Sequence, residues 1–214
     1  WMALTLATCL ATGRHFPGFA DAPPPCRVLY LDWEEDEAEA SERYTAILAG
    51  LGIIHPPDNL IYRRMHRPLV RDIATTRLFV EKEGIAFTVL DSLSFACDGK
   101  LTDDDTAERF GQAMRTLNCS KVALAHQTKA DSQNKEHRAT PFGSAFFINA
   151  ARSVWELAKA DEGQVTGQGD GTTITEYTLG LYHQKVNKGR LSNNLGYRMT
   201  VHEDDDGNAL AIRF

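Results

Sequence analysis

The chain has 214 residues, 43% of them apolar and 24% charged, with a formal net charge of −6 at pH 7, enough for one domain with a true core. A net acidic chain has no global basic field, so any binding to a polyanion must come from a local patch. Cys9, Cys26, Cys97 and Cys119 form no CxxC pair, which points to free thiols in a reducing compartment rather than a zinc site or a disulfide framework.

The chain opens on MALTLATCLAT, Met2 to Thr12, apolar or small at nearly every position, with Gly13 where a helix C-cap glycine would sit. It has no basic n-region, and Arg14-His15 stands where a signal cleavage site would lie. No apolar run reaches the roughly 18 residues of a membrane span. The expectation is a cytoplasmic protein with no membrane partner.

RVLYLD, residues 27–32, follows a proline cluster and reads as a buried strand. A helix is expected over Asp36–Leu51, acidic in its first turn, with Ala40, Tyr44, Ile47, Leu48 and Leu51 inward. NLIYRR (59–64) is a short strand, and Pro68–Glu83 a helix closed by Gly84. IAFTVLD (85–91) is a second buried strand. A helix over Thr102–Leu117 turns Ala107, Phe110, Met114 and Leu117 inward, and Thr102 with Asp105 has capping-box spacing.

KVALAH (121–126) is a third buried strand, followed by the polar stretch QTKADSQNKEHRATP. A short helix near Gly143–Ala151 and a strand near Arg152–Ala158 come next. TTITEYTLGLYHQKV, GYRMTVHE and ALAIRF read as antiparallel strands joined at GQGDG and EDDDGN. Alternating strands and helices predict an α/β fold with a mostly parallel sheet, extended by an antiparallel C-terminal hairpin. There is no linker and no internal repeat, so residues 1–214 form a single domain.

In such a sheet, chemistry gathers at the carboxyl ends of the strands. Three strands here end in polar residues at that edge: Asp32-Trp33-Glu34-Glu35, Asp91-Ser92 and His126-Gln127. An acid or amide at a strand end is often no more than a cap; three on successive buried strands suggest a site. FTVLD has the Walker B form, whose carboxylate holds the water shell of Mg²⁺ beside a nucleotide. A glutamate on a neighbouring strand can deprotonate an attacking water, and phosphoryl transfer needs little beyond positioning and charge neutralisation.

RVLYLDWEED, FTVLDS, ALAHQTK, PFGSAFFINAARSVWEL and HQKVNKG, in this order, resemble the RecA-like P-loop ATPases, and within them the RepA-type replicative helicase branch. The resemblance spans about residues 1–190 and implies a three-layer RecA-like fold. It further implies a DNA motor that couples ATP hydrolysis to single-stranded DNA binding in a ring, a hexamer by analogy, with ATP and Mg²⁺ as cofactors. By position, Glu34 resembles the water-activating glutamate, with Glu35 as the second choice. Asp91 resembles the Walker B metal carboxylate, with Ser92 beside it, and Gln127 the γ-phosphate sensor, next to His126. Lys129, Lys135 and Arg138 fall in the segment that contacts DNA in the family; from charge alone it reads equally well as a solvated loop. Lys185 matches a basic element that reaches the neighbouring subunit's ATP site. Lys188 and Arg190 are the other candidates, because Asn187 stands where many relatives have arginine, and a plain basic strand end is the alternative.

The family's GxxxxGK[ST] phosphate loop does not occur in these 214 residues. The expectation is a chain that begins just after that loop and hydrolyses ATP weakly or not at all alone. The strand before the loop is expected to lie between those ending at Asp91 and His126. Without it, those two strands must close up or leave unpaired backbone groups, at about 1–3 kcal/mol each if buried. Two rival readings stand beside the ATPase: a non-catalytic nucleic-acid or partner-binding module of the same fold, and an unrelated α/β enzyme using Asp91, Glu34 and His126 around a metal.

Overall fold

The computed structural model describes residues 1–19, 21–127 and 142–214. Four parallel strands form the first sheet: β1 (Val28–Asp32), β2 (Leu60–Arg64), β3 (Phe87–Asp91) and β4 (Ser120–Ala123), in the order β2-β1-β3-β4. The helices of this half are α1 (Met2–Thr12), α2 (Glu37–Gly50), α3 (Leu69–Lys82), α4 (Leu93–Ala96) and α5 (Asp104–Thr116). After the undescribed segment come α6 (Ala145–Ala150) and five strands: β5 (Ser153–Lys159), β6 (Gln164–Gly169), β7 (Thr172–Val186), β8 (Leu195–Asp204) and β9 (Ala209–Arg213).

Both faces of the parallel sheet are covered, which is why its strands read as continuous apolar runs. Leu29, Leu31 and Leu90 pack with Leu69 and Val80 of α3 and with Phe110 and Leu117 on the α5 side. On the other face, Val28, Tyr30 and Val89 meet Leu4, Ala7 and Ala11 of α1 and Ile47 of α2. The Thr102–Asp105 capping box does not form: Asp103 is the N-cap, without a side-chain cap bond, and Asp104 Oδ1 instead accepts from Ser144 Oγ at 2.6 Å.

The antiparallel strands do not extend the parallel sheet. They make a second sheet, ordered β5-β7-β8-β9 with β6 also on β7. Its inner face, Leu179, Tyr197, Met199, Val201 and Ile212, packs on Cys9, Phe16 and Ala46. The α1/α2 layer thus has a sheet on either side, which explains the lack of a polar face on MALTLATCLAT. Docking the second sheet there takes that apolar face of α1 and α2 out of water.

β3 and β4 pair directly, from Phe87↔Ser120 to Leu90↔Ala123. Leu124 N–H continues the ladder to Leu90 O at 2.9 Å. Of the two expected outcomes, the structure shows the first: the two strands pair directly and satisfy each other's backbone groups. Among the described residues, no helix is long and apolar enough to cross a membrane.

Candidate active site

β1, β3 and β4 are parallel and in register, with Asp32 opposite Asp91, so their carboxyl ends deliver their last residues to one place. Trp33 N–H donates to Asp91 O at 2.7 Å and Leu93 N–H to Leu124 O at 2.7 Å, lacing the three loops together. The Asp91–Ser92 peptide bond is cis.

Glu34 lies at the centre. Its Oε1 is 2.8 Å from His126 Nε2 and accepts the Ser92 hydroxyl, which also pairs with Ser94 Oγ at 2.8 Å. Burial pushes the Glu34 carboxyl up, but the bonds from Ser92 and His126 and the charges of His126 and Arg43 outweigh it, leaving it below the ordinary carboxylate range. Glu34 is therefore an ionised, partly desolvated carboxylate, free to accept a proton although its depressed pKa makes it a weaker base. The His126 side chain is 68% exposed, so this contact adds more to orientation than to stability.

Asp91 is more deeply set. Its Oδ2 accepts from Tyr30 Oη at 2.6 Å. Burial holds its carboxyl above the ordinary value, the Tyr30 bond opposes that, and the charges of Asp32 and Glu34 add to it. The amino group of Trp1, the N-cap of α1, senses the Asp91 charge, so the start of α1 lies near the same carboxylate. Among the described residues, no three His, Cys, Asp or Glu side chains are grouped to cage a metal. Mg²⁺ needs no cage: it keeps several waters and takes one or two carboxylates plus substrate phosphates. Asp91, a hard oxygen donor with one oxygen tied by Tyr30, suits that mode.

The other residues marked by the sequence lie elsewhere. Glu35 pairs with Arg43, whose guanidinium stands 4.9 Å from the Trp1 ring centroid. Gln127 Nε2 reaches Glu156 Oε1 at 3.4 Å, and Gln184 Nε2 holds the other oxygen at 2.6 Å, so Gln127 links β4 to the second sheet. Lys185 Nζ donates to the carbonyls of Ile148, Asn149 and Ala151 at 2.7, 3.0 and 2.7 Å, closing the C-terminus of α6. Lys188 and Arg190 sit in the exposed β7–β8 connection. This group adjoins Arg152, whose carbonyl accepts from Asn187 N–H and whose charge reaches Lys121 at the start of β4. Among the described residues, none of Lys185, Lys188 and Arg190 is bonded to Glu34, Asp91 or Ser92. Lys129, Lys135 and Arg138 lie outside the described residues.

Sequence motifs do not mark Tyr30 or Ser94, and they place Asp32 at the polar end of its strand without a role of its own. The period-2 alternation in YLD puts Tyr30 and Asp32 on one face, and a buried tyrosine hydroxyl needs a partner; that was the available signal.

The family model for the AAA domain matches residues 1–132, more than half of the chain. The chain belongs to the AAA domain family. The match takes in the whole parallel sheet and every member of the Glu34–Asp91–His126 cluster. It makes this half a nucleotide-binding, ATPase-like AAA module; the second sheet lies beyond the matched span. A search of the curated proteins gave no match.

Proposed function

We propose that the Glu34–Asp91–His126 cluster is the hydrolytic half of a Mg²⁺–nucleoside triphosphate site, with ATP as the substrate. The observation that carries this reading is the convergence of Ser92 and His126 on one Glu34 carboxylate oxygen beside Asp91, the three residues coming from the ends of three adjacent strands.

Glu34 accepts the proton of the attacking water as the new P–O bond forms and the β–γ bridging bond breaks. Asp91 would hold the water shell of the cation, and the N-terminus of α1, which lies near Asp91, would offer its positive dipole end to the phosphates. Mg²⁺, when bound, neutralises charge on the β- and γ-oxygens. Coupling to single-stranded DNA, ring assembly, and insertion of Lys185, Lys188 or Arg190 into a neighbouring site complete the proposal. They rest on the resemblance to replicative helicases. That none of the three is bonded to this chain's own Glu34 or Asp91 among the described residues agrees with a role toward a neighbour.

The test is paramagnetic. Mn²⁺ titrated with ADP should broaden the NMR resonances of Glu34, Asp91 and Ser92 first, and Asp91→Asn should abolish that pattern. Broadening centred elsewhere, or unchanged by Asp91→Asn, would overturn the assignment. No GxxxxGK[ST] occurs in these 214 residues, so Mg²⁺-ATP turnover by this chain alone should be weak or absent. Turnover abolished by Glu34→Gln would show that the chain supplies its own phosphate cradle.

A further inference from the structure

Asp32 closes β1 and is 3% exposed. A carboxylate buried that deeply is costly unless its oxygens are bonded, and here both are. Oδ1 accepts the backbone N–H of Glu34 at 2.8 Å and of Glu35 at 3.2 Å; Oδ2 accepts from Tyr62 Oη at 3.2 Å. Burial, then the charge of Asp32, pushes the Tyr62 phenol above its ordinary value, so it stays a donor. Tyr62 stacks on Tyr30, with centroids 6.3 Å apart and 20° between the planes, and Tyr30 in turn bonds Asp91.

These bonds are not needed to start the next helix. α2 is capped by Asp36, which accepts from Ala38 and Glu39 N–H in a complete capping box. What Asp32 fixes is the short turn before that cap, the one that carries Glu34. Neutral-acceptor chemistry would satisfy the same two amides, so its role can be separated from its charge.

We propose that Asp32 is a positioning residue: by accepting the Glu34 and Glu35 amides it fixes the turn that holds the Glu34 carboxylate against Ser92 and His126. This rests on Glu34 being the water-activating group, but its test does not involve nucleotide. The ¹⁵N and ¹H resonances of the His126 imidazole, at one fixed pH, read the Glu34 contact directly, and Glu34→Gln defines where they move when the carboxylate charge is lost. In Asp32→Ala they should move toward the Glu34→Gln positions. In Asp32→Asn, whose side-chain carbonyl can still accept both amides, they should stay at the wild-type positions. If Asp32→Ala does not fold, Asp32→Leu, close to aspartate in shape but with no acceptor for either amide, should behave as expected for alanine. Wild-type resonances in a folded Asp32→Ala or Asp32→Leu protein would overturn the proposal. So would Asp32→Asn moving as far as Asp32→Ala. Failure here leaves the ATPase reading to the Mn²⁺ titration; failure there leaves the Asp32–Glu34 linkage to these spectra.

Discussion

Gly50 is the last residue of α2 and the point where the second sheet comes closest to it. A Cβ added there would stand 2.9 Å from the backbone nitrogen of Ile212, and closer still to the carbonyl carbon and oxygen of that residue. Ile212 is 2% exposed, and its strand is held by β8, so the obstacle is buried backbone that no rotamer change can move aside. Glycine to alanine in a helix is ordinarily worth about 1 kcal/mol in favour of alanine. Overpacking a core costs about 1–3 kcal/mol, and a backbone obstacle argues for the upper end. Gly50→Ala should therefore destabilise the protein by about 2 kcal/mol, or about 4–8 °C in Tm for a chain of this size. Urea and thermal unfolding measure it. The active-site turn sits at the other end of α2, roughly 20 Å away at ~1.5 Å per residue, so the His126 resonances should not move. A Gly50→Ala protein as stable as wild type would refute the close packing of α2 on β9.

Glu34→Gln should lower unfolding stability at neutral pH. The folded Glu34 carboxyl is held below its ordinary value by Ser92 and His126 against burial, so its contribution is present above the unfolded pKa and vanishes as pH falls through the depressed one. Wild type and variant should converge in acid, and a constant gap down to low pH would contradict the assigned bonds. Lys185→Met removes three charge-assisted bonds to the α6 C-terminus and should cost about 1–2 kcal/mol in denaturant unfolding. Lys188→Ala, on the exposed connection, should leave stability unchanged. Burial pushes the Cys97 thiol up to about 12, so iodoacetamide at pH 8 should spare Cys97 in the native protein and label it only after unfolding; mass spectrometry of the peptides decides.

Much of the parallel half was legible because each signal was local. RVLYLD and FTVLD are too apolar for any place but a two-faced sheet. Asp36 with Glu39 makes the capping box that starts α2, and Gly13 and Gly84 take the positive φ that ends their helices. Thr102 and Asp105 had the spacing of a cap, yet α5 starts after Asp103, and the first-turn acid that is bonded is Asp104, held by Ser144 40 residues away. β6 was hidden in the glycines of GQGDG, which turn at Asp170 and Gly171 after the strand has already formed.

Within the site, residue types and order along the chain fixed the candidates: Glu34, Asp91, Ser92 and His126 are each the polar end of an apolar run, and parallel strands in register bring such ends together. Which polar end faces which partner is a matter of loop geometry across 58 to 92 residues of sequence, and no periodicity carries that. The same holds for Gln127, drawn to Glu156, and for Lys185, drawn to the α6 carbonyls. By itself the amino-acid order determined a parallel α/β core and the set of groups at its edge, because burial and strand polarity act through neighbours in the chain. Only the tertiary structure decided that the antiparallel strands cover α1 and α2 as a separate sheet, that β3 and β4 close on each other, and that Asp32 anchors Glu34. Those outcomes depend on which distant surfaces bury the most apolar area and satisfy the last buried polar atoms.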